Sequence, residues 1–203
     1  MRFVSHAKAS QLRSPLNMSS ARGFTAHADE VVHTWAMFRL LKRRVTSPAG
    51  EDFERTFVST PGAVGMVAIT DDGNVIFVHQ YRATLDTFVR EIPAGMRDIE
   101  GEDPATTAVR ELKEETGYTA GSIEYLGTCL SSPGVTDSSV EVYLATGLVA
   151  GDSEPHGPEE DTMFVEHVPF SKALQMIEVG EIADAKSAYG LMLAARRFPH
   201  LVR

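Results

Sequence analysis

The sequence predicts an α/β protein in which a mixed β-sheet is covered by helices on both faces. Short runs rich in β-branched and aromatic residues, bounded by turn residues, recur between residues 31 and 168. Three further segments carry helix start or stop signals, and they lie between or after these runs. A chain that mixes strands and helices in this way buries its sheet by layering helices against it.

The strand-like runs share a high content of Val, Ile, Phe and Tyr. They are Val31–Leu41, Phe53–Val58, Val64–Ile69, Val75–Tyr81, Ile123–Leu130, Val140–Ala145 and Met163–Val168. A turn at Ser47–Gly50 separates the first two runs. The turn residues Asp71–Asn74 lie between Val64–Ile69 and Val75–Tyr81, so we expect these two strands to form a hairpin.

The first helix is predicted from its end signals. Asp103 can accept hydrogen bonds from free amides at the start, and Pro104 suits the first helical position. Gly117 can adopt the left-handed conformation that ends a helix. Two more helices are predicted near the end of the chain, at about Lys172–Glu178 and about Ala185–Phe198.

Composition limits the possible functions. The chain has 203 residues and a net charge of −9, so nucleic acid is not expected as the main partner. The single cysteine, Cys129, excludes an internal disulfide and is typical of a reducing cytoplasm. With no apolar stretch long enough to span a membrane and no signal-peptide core, we predict a cytoplasmic protein without a membrane partner. Residues 1–28 are predicted to be a poorly ordered tail.

The first helix carries a cluster of carboxylates. Glu111 and Glu115 are four residues apart and therefore share one face of the helix. Oxygen ligands of this kind suit a hard cation such as Mg²⁺, which also takes phosphate oxygens of a substrate. Arg110 and Glu114 form a second pair that could fix the helix in place. The alternative is an acidic helix face that is merely solvated.

The segment Gly95–Tyr118 resembles the Nudix box, in which a glycine, a glutamate and the run Arg-Glu-apolar-x-Glu-Glu-x-Gly follow at fixed spacing. Glu102 lies eight residues before Arg110, as the pattern requires. Gly95 precedes Glu102 by seven positions, one more than the pattern has. The extra residue alters the loop around Arg97 and Asp98 but leaves the register of the carboxylates unchanged.

The resemblance implies a Nudix α/β/α sandwich with a mixed sheet over residues 62–203. Residues 29–61 would then form a small N-terminal antiparallel β-sheet. The resemblance implies that this region crosses to a second subunit, so a homodimer is expected.

Three elements outside the box resemble ADP-ribose pyrophosphatases of the actinobacterial type. They are Glu91–Gly95, Gln80–Arg82 and Ser131–Asp137, and Pro133 follows Gly117 by 16 residues. The resemblance implies that Arg82 contacts the pyrophosphate of the substrate. It also suggests substrate contacts from Glu91, Arg97, Pro133, Gly134 and Asp137.

Each of these elements also has a structural explanation. Pro133 and Gly134 could form an ordinary turn. Arg82 could be a surface residue at a strand end. Glu91 could pair with a nearby arginine such as Arg90 or Arg97.

The resemblance implies metal-dependent hydrolysis of a pyrophosphate bond, with Mg²⁺ as the expected ion and Mn²⁺ as the alternative. Its ligands would be Glu111, Glu115 and the carbonyl of Ala94, supported by the Glu114–Arg110 pair. The general base, which would also approach the metal, is predicted in the acidic stretch 154–161, at Glu160 or at the adjacent Glu159. A solvated acidic loop is the alternative for that stretch.

Adenine binding requires a stacking surface. Trp35 is the only tryptophan, and we predict that it stacks on the base. Burial in the core is the alternative for this side chain.

The predicted function is hydrolysis of ADP-ribose to AMP and ribose 5-phosphate. One alternative is a Nudix hydrolase of another nucleoside diphosphate derivative, for example a sugar nucleotide such as GDP-mannose. The other is a non-catalytic nucleotide-sensing module, although such modules usually lack one or more box carboxylates, and this chain has them all.

Overall fold

The computed structural model of this protein describes residues 22–153 and 162–202. In chain order the strands are β1 Thr25–Trp35, β2 Phe38–Thr46, β3 Asp52–Ser59, β4 Ala63–Ala68, β5 Asn74–Arg82, β6 Thr87–Glu91, β7 Ala94–Met96, β8 Thr119–Leu130, β9 Ser139–Val149 and β10 Phe164–Pro169. The helices are α1 Pro104–Thr116, α2 Phe170–Glu178 and α3 Ala185–Arg197, followed by a 3₁₀ helix at Pro199–Leu201. The strands form three sheets, ordered β1-β2-β3, β10-β5-β6 and β7-β4-β9-β8.

The N-terminal sheet is an antiparallel meander of β1, β2 and β3. The single strand predicted at Val31–Leu41 is wrong, because the chain turns between Trp35 and Phe38. Ala36 adopts a positive φ of 46° there, a conformation that the sequence does not signal with Gly or Asn. The first strand begins at Thr25, so the last four residues of the predicted tail belong to this sheet.

The hairpin expected between β4 and β5 is present only at its turn. A single bridge joins Ile69 to Val75, after which β4 enters the sheet with β9 and β5 enters the sheet with β10. Five of the six residues of β4 and five of the nine residues of β5 are buried. Such strands are typical of sheet centres, where partners on both sides compete with the local hairpin.

Helices cover both faces of the sheets, as predicted. On one face Ala108 and Leu112 of α1 pack with Val64 and Met66 of β4. On the other face a larger core joins β4, β5 and β9 to α2 and α3. The four-stranded sheet is mixed, because β4 pairs parallel with β9 and antiparallel with β7. The layered α/β fold is therefore confirmed.

The ends of the helices follow local chemistry. Asp103 accepts a hydrogen bond from the amide of Ala105, and Gly117 ends α1 with a φ of 74°. The helix α2 begins two residues earlier than predicted, at Phe170, whose amide donates to the carbonyl of Gly73. None of the helices in the described ranges has the length and apolarity needed to cross a membrane.

Candidate active site

The segment that joins β6 to β7 is fixed from two sides. On the α3 side, the amide of Ile92 donates to Ser187 Oγ at 2.8 Å. On the β4 side, the carbonyl of Pro93 accepts from the amide of Met66 at 2.9 Å. One side-chain contact and one backbone contact therefore fix the position of this segment next to α1.

Helix α1 brings two carboxylates to the same segment. The carboxylate of Glu115, which is 5% exposed, accepts a hydrogen bond from the amide of Ala94 at 2.9 Å. The carboxylate of Glu111 lies directly against Gly95, where an added Cβ would be 1.9 Å from Glu111 Cδ. A glycine is required at this position because the Glu111 carboxylate occupies the space of a side chain. Both predicted metal ligands therefore meet at Ala94–Gly95.

The buried position of Glu111 changes its acidity. Burial raises the pKa of its carboxyl to about 7, the charge of Glu114 adds to the rise, and Arg110 opposes it. The guanidinium of Arg110 lies 2.8 Å from Glu111 Oε1. A carboxylate in this environment is stabilised in its charged form by a nearby cation.

Arg110 is surrounded by four carboxylates. Its guanidinium lies 2.8 Å from Glu111, 3.0 Å from Glu114, 3.2 Å from Glu102 and 3.4 Å from Asp98. Burial alone would lower the pKa of Arg110, but these charges outweigh it and raise the pKa above its ordinary value. The predicted Arg110–Glu114 pair is thus present. The contacts of Arg110 with Asp98 and Glu102 fix the box loop to the helix.

The donor set is compatible with an ion that the substrate helps to coordinate. Among residues 22–153 and 162–202, no three His, Cys, Asp or Glu side chains are arranged to enclose a metal. Two carboxylates and one carbonyl are available, from Glu111, Glu115 and Ala94. Mg²⁺ is commonly held by one or two protein carboxylates together with substrate phosphates and water. The residues therefore fit an open magnesium site and not a closed cage.

Arg82 and Glu91 form an ion pair on the wall of a cavity. Arg82 Nε donates to Glu91 Oε1 at 2.6 Å and Arg82 Nη2 donates to Glu91 Oε2 at 2.7 Å. The alternative that Glu91 pairs with Arg90 or Arg97 is wrong, since Arg90 instead donates to Glu166 at 2.7 Å. Arg82 is accordingly a half-buried residue in a bidentate pair, not a free surface arginine.

Glu91 has a second partner that no sequence pattern indicates. Lys186 Nζ contacts Glu91 Oε2 from the first turn of α3, and it lies 3.0 Å from Asp184 Oδ2. Burial acts to raise the pKa of Glu91, but the hydrogen bond from Arg82 and the charge of Lys186 outweigh it and lower the pKa. Asp184 was predictable as a helix cap, but the Lys186 contact joins residues too far apart in the chain for a local pattern to reveal it.

A cavity of about 690 Å³ opens beside this wall. Arg82, Glu91 and Lys186 are among the charged residues that line it. The lining also includes the apolar residues Leu85, Phe88, Val89, Leu130, Val140 and Ala183. The cavity is wide enough for a nucleotide-sized ligand group.

The loop Ser131–Asp137 packs against the end of β3. The amide of Val58 donates to the carbonyl of Val135 at 2.9 Å. Asp137 Oδ1 accepts from the amide of Thr60 at 2.9 Å, so this carboxylate fixes the loop to the N-terminal sheet. A substrate contact from Asp137 stays a prediction.

Pro133 and Gly134 are exposed at the tip of this loop. The amide of Val135 donates to the carbonyl of Ser132 at 3.0 Å, and no atom lies within 4 Å of a Cβ added at Gly134. The turn interpretation of these two residues is therefore confirmed, whereas their substrate contact stays a prediction.

Arg97 lies at a second cavity of about 600 Å³, between the box loop and the N-terminal sheet. Its Nη1 is 3.4 Å from Glu141 Oε1, and its Nε is buried without a hydrogen-bond partner among the described residues. A ligand could therefore contact only the exposed part of the guanidinium, and the substrate contact of Arg97 stays a prediction.

Trp35 ends β1 and its side chain is exposed, with 41% of its surface accessible. Its ring centroid lies 5.7 Å from that of Phe38 and 5.8 Å from that of His33. The alternative of a core tryptophan is wrong, and adenine stacking stays a prediction. The predicted bases Glu159 and Glu160 lie outside the described residues.

Comparison with known proteins identifies the family. The NUDIX domain model matches residues 59–188, more than half of the chain. The chain therefore belongs to the Nudix family, as the box predicted. It is 39% identical over 170 residues to the ADP-ribose pyrophosphatase of Mycobacterium tuberculosis, covering 83% of this chain and 82% of that protein.

Two further similarities extend over most of the chain. The ADP-ribose pyrophosphatase of Bacillus subtilis is 38% identical over 164 residues, covering 81% of this chain and 88% of the relative. A solved structure described as "Crystal structure of ADP compounds hydrolase" superposes with a TM-score of 0.77 at 22% identity, covering 90% of this chain and 97% of that one. The second match supports the fold alone.

Proposed function

We propose that this protein hydrolyses the pyrophosphate bond of ADP-ribose to AMP and ribose 5-phosphate, using Mg²⁺ or Mn²⁺. The observation that carries the reaction type is the meeting of Glu111 and Glu115 at Ala94–Gly95. The choice of substrate is supported by the two ADP-ribose pyrophosphatases that are 38–39% identical to this chain.

The metal would be held by Glu111, Glu115 and the carbonyl of Ala94. A divalent ion in such a site neutralises phosphate oxygens and lowers the pKa of a bound water. Arg110 contacts both Glu111 and Glu114 and compensates their charge. The amide of Ala94 fixes the Glu115 carboxylate.

Arg82 would orient the pyrophosphate. Within the part of the chain that the structure describes, its side chain donates to Glu91 through Nε and Nη2, which leaves Nη1 for a phosphate oxygen. The bidentate pair fixes the plane of the guanidinium before the substrate binds, so less freedom is lost on binding.

A carboxylate base would take a proton from the attacking water. The sequence places this role in Glu160 or Glu159. Comparing Glu160→Gln with Glu159→Gln would separate them, because only the variant that removes the base should slow turnover while the affinity for metal is retained.

We also propose a homodimer formed through the N-terminal sheet. Val31, Val32, Trp35 and Met37 are between 41% and 55% exposed in the single chain. An isolated sheet of few strands is stable in water only when it has an apolar face to pack against something. A second copy of the chain would supply this cover.

The test is ADP-ribose hydrolysis in the presence of Mg²⁺, with AMP and ribose 5-phosphate both quantified. An EDTA sample serves as the control, and GDP-mannose and nucleoside triphosphates are assayed in parallel. Metal-dependent release of both products at rates well above those with GDP-mannose supports the proposal. A folded protein that cleaves GDP-mannose faster contradicts the substrate, and one that binds ADP-ribose without cleaving it indicates a sensing module.

A further inference from the structure

A row of alternating charges runs from the candidate site into α3. Arg82 pairs with Glu91, Glu91 contacts Lys186, and Lys186 contacts Asp184. The side chains of Lys186 and Glu91 are only 13% and 4% exposed. Water therefore contributes little to holding these charges in position, and the side chains fix one another.

The first turn of α3 holds Lys186 at this position. Asp184 Oδ2 accepts from Lys186 Nζ at 3.0 Å, from the amide of Ser187 at 3.0 Å and from Ser187 Oγ at 2.5 Å. The same Ser187 Oγ accepts from the amide of Ile92 at 2.8 Å. The helix start thus binds both the backbone of the 91–95 segment and, through Lys186, the Glu91 side chain.

The Glu91 carboxylate contacts two cationic side chains at once. Both of its oxygens accept from Arg82, and Oε2 also contacts Lys186. The bidentate geometry with Arg82 persists only while this carboxylate keeps its orientation. Lys186 is the second anchor of that orientation, and like Arg82 it is one of the residues that line the cavity.

Stability alone is a poor explanation for this lysine. A buried ion pair often contributes no more to stability than apolar side chains of the same volume, because the charges lose their hydration. The lysine is better explained by the geometry that it imposes on its partners.

We propose that Lys186 is a positioning residue for pyrophosphate hydrolysis, which holds Glu91 so that the Arg82 guanidinium faces the substrate. The inference rests on the proposed function, in which Arg82 binds the pyrophosphate. In this proposal Lys186 acts through Glu91 and Arg82 and not on the reacting atoms.

A double-mutant cycle of Lys186→Met and Arg82→Ala tests the proposal. In the wild-type background Lys186→Met should lower kcat/KM by about 10- to 100-fold, the usual effect of losing a residue that orients a site ligand. In the Arg82→Ala background the same change should alter kcat/KM by less than about twofold, because its effect passes through Arg82. Lys186→Arg, which retains the charge, should recover most of the activity.

Equal losses in both backgrounds would overturn the proposal, since a general structural defect does not depend on Arg82. Lys172→Met is the matched control, because Lys172 is exposed on α2 and should show wild-type activity. Thermal melting verifies folding, and Lys186→Gln replaces Lys186→Met if the latter fails to fold.

The role of Lys186 can be tested even if ADP-ribose is not the substrate. If the wild type does not cleave ADP-ribose, the proposed function fails. The affinity of the same four proteins for inorganic pyrophosphate with Mg²⁺, measured by calorimetry, then replaces kcat/KM. Non-additive losses of affinity would support the role of Lys186, and additive losses would overturn it.

Discussion

The N-terminal sheet and the layered Nudix domain are both built from strands, but only the layered domain has a core. Among residues 22–59, all of which the structure describes, only Leu41 and Ser59 are buried. In the layered domain Met66, Phe77 and Leu112 are completely buried. The two regions therefore differ in what stabilises them, although their sequence patterns are alike.

The same contrast applies to their ion pairs. In the N-terminal sheet Lys42 and Glu30 lie 2.8 Å apart with 35% and 63% of their side chains exposed. In the layered domain the Glu91 side chain is 4% exposed against Arg82. Exposed pairs are screened by water, whereas buried charges depend on their partners. The charges of the candidate site thus lie where the surrounding structure can fix their geometry.

The largest effect is expected at the helix α1 carboxylates of the layered domain. Glu115→Gln should lower kcat by more than about 100-fold, since losing even an indirect support of a metal ligand costs about 10- to 100-fold. The side chain keeps its volume and can still accept from the amide of Ala94. Kinetics and thermal melting should show an inactive but folded protein.

Glu124→Gln is the control for this variant, because Glu124 is exposed on β8. It should retain wild-type activity. Normal turnover by Glu115→Gln would show that the metal ligands have been assigned wrongly.

The next largest effect is the loss of stability on removing one carboxylate from each of the two ion pairs. Glu91→Gln should lower the free energy of unfolding by about 2 kcal/mol, somewhat less than for a fully buried pair because Arg82 is partly exposed. Glu30→Gln, the same change in the N-terminal sheet, should cost less than about 1 kcal/mol. Urea unfolding of the two variants at neutral pH measures both values, and equal losses would contradict the comparison.

The lowered pKa of Glu91 also predicts that stability depends on pH. Burial acts to raise its pKa, but Arg82 and Lys186 outweigh burial and hold the pKa below the ordinary value of 4.5. Because the folded protein binds this proton less readily than the unfolded chain, the stabilisation is present above pH 4.5 and is lost as the pH falls through the folded pKa. The difference between wild type and Glu91→Gln should therefore shrink in acid, and a constant difference down to about pH 3 would refute the assignment.

A glycine substitution separates activity from stability. Gly95→Ala should displace the Glu111 carboxylate, whose Cδ lies 1.9 Å from the added Cβ, and lower kcat/KM by about 10- to 100-fold. The fold should persist because the displaced group is the end of a flexible side chain. Activity and melting assays distinguish the two effects.

Gly50→Ala in the N-terminal sheet should behave in the opposite way. Gly50 has a φ of 83° and no atom within 4 Å of an added Cβ, so alanine strains the backbone by about 1–2 kcal/mol without reaching the site. Reduced stability with normal activity is expected. Loss of activity in Gly50→Ala but not in Gly95→Ala would reverse the roles of the two regions.

The smallest effect concerns the partner of the N-terminal sheet. Val31→Glu should weaken the homodimer by about tenfold or more, equivalent to about 1.4 kcal/mol, because a charge would be buried at the interface. Light scattering after size exclusion measures the change in mass. Val179→Glu, at an exposed valine near the end of α2, is the control, and a monomeric wild type would contradict the dimer itself.

Local sequence was sufficient for the features that depend on neighbouring residues. Asp103, Pro104 and Gly117 define the ends of α1 because helix capping involves only adjacent amides and carbonyls. The common face of Glu111 and Glu115 follows from the period of that helix. The family could likewise be predicted from the box, because the box is defined by the spacing of residues over a short stretch of sequence.

Other local patterns gave wrong results. The turn at Ala36 lacks the usual glycine or asparagine, so the local pattern predicts one strand where the structure has two. The hairpin predicted for β4 and β5 does not extend beyond its turn, because β4 pairs with β9 and β5 pairs with β10. Buried central strands are stabilised more by these distant partners than by the nearest strand in the chain.

The sequence by itself therefore determined the family, the layered fold and the carboxylates of α1. Only the tertiary structure decided that Arg82 pairs with Glu91, that Lys186 supports this pair and that Glu111 requires a glycine at position 95. These contacts join β5, β6, β7, α1 and α3, which the packing of the folded chain brings together. The reason is physical, because periodicity and capping act over a few residues, whereas packing and buried charge pairing depend on which distant elements the core brings together.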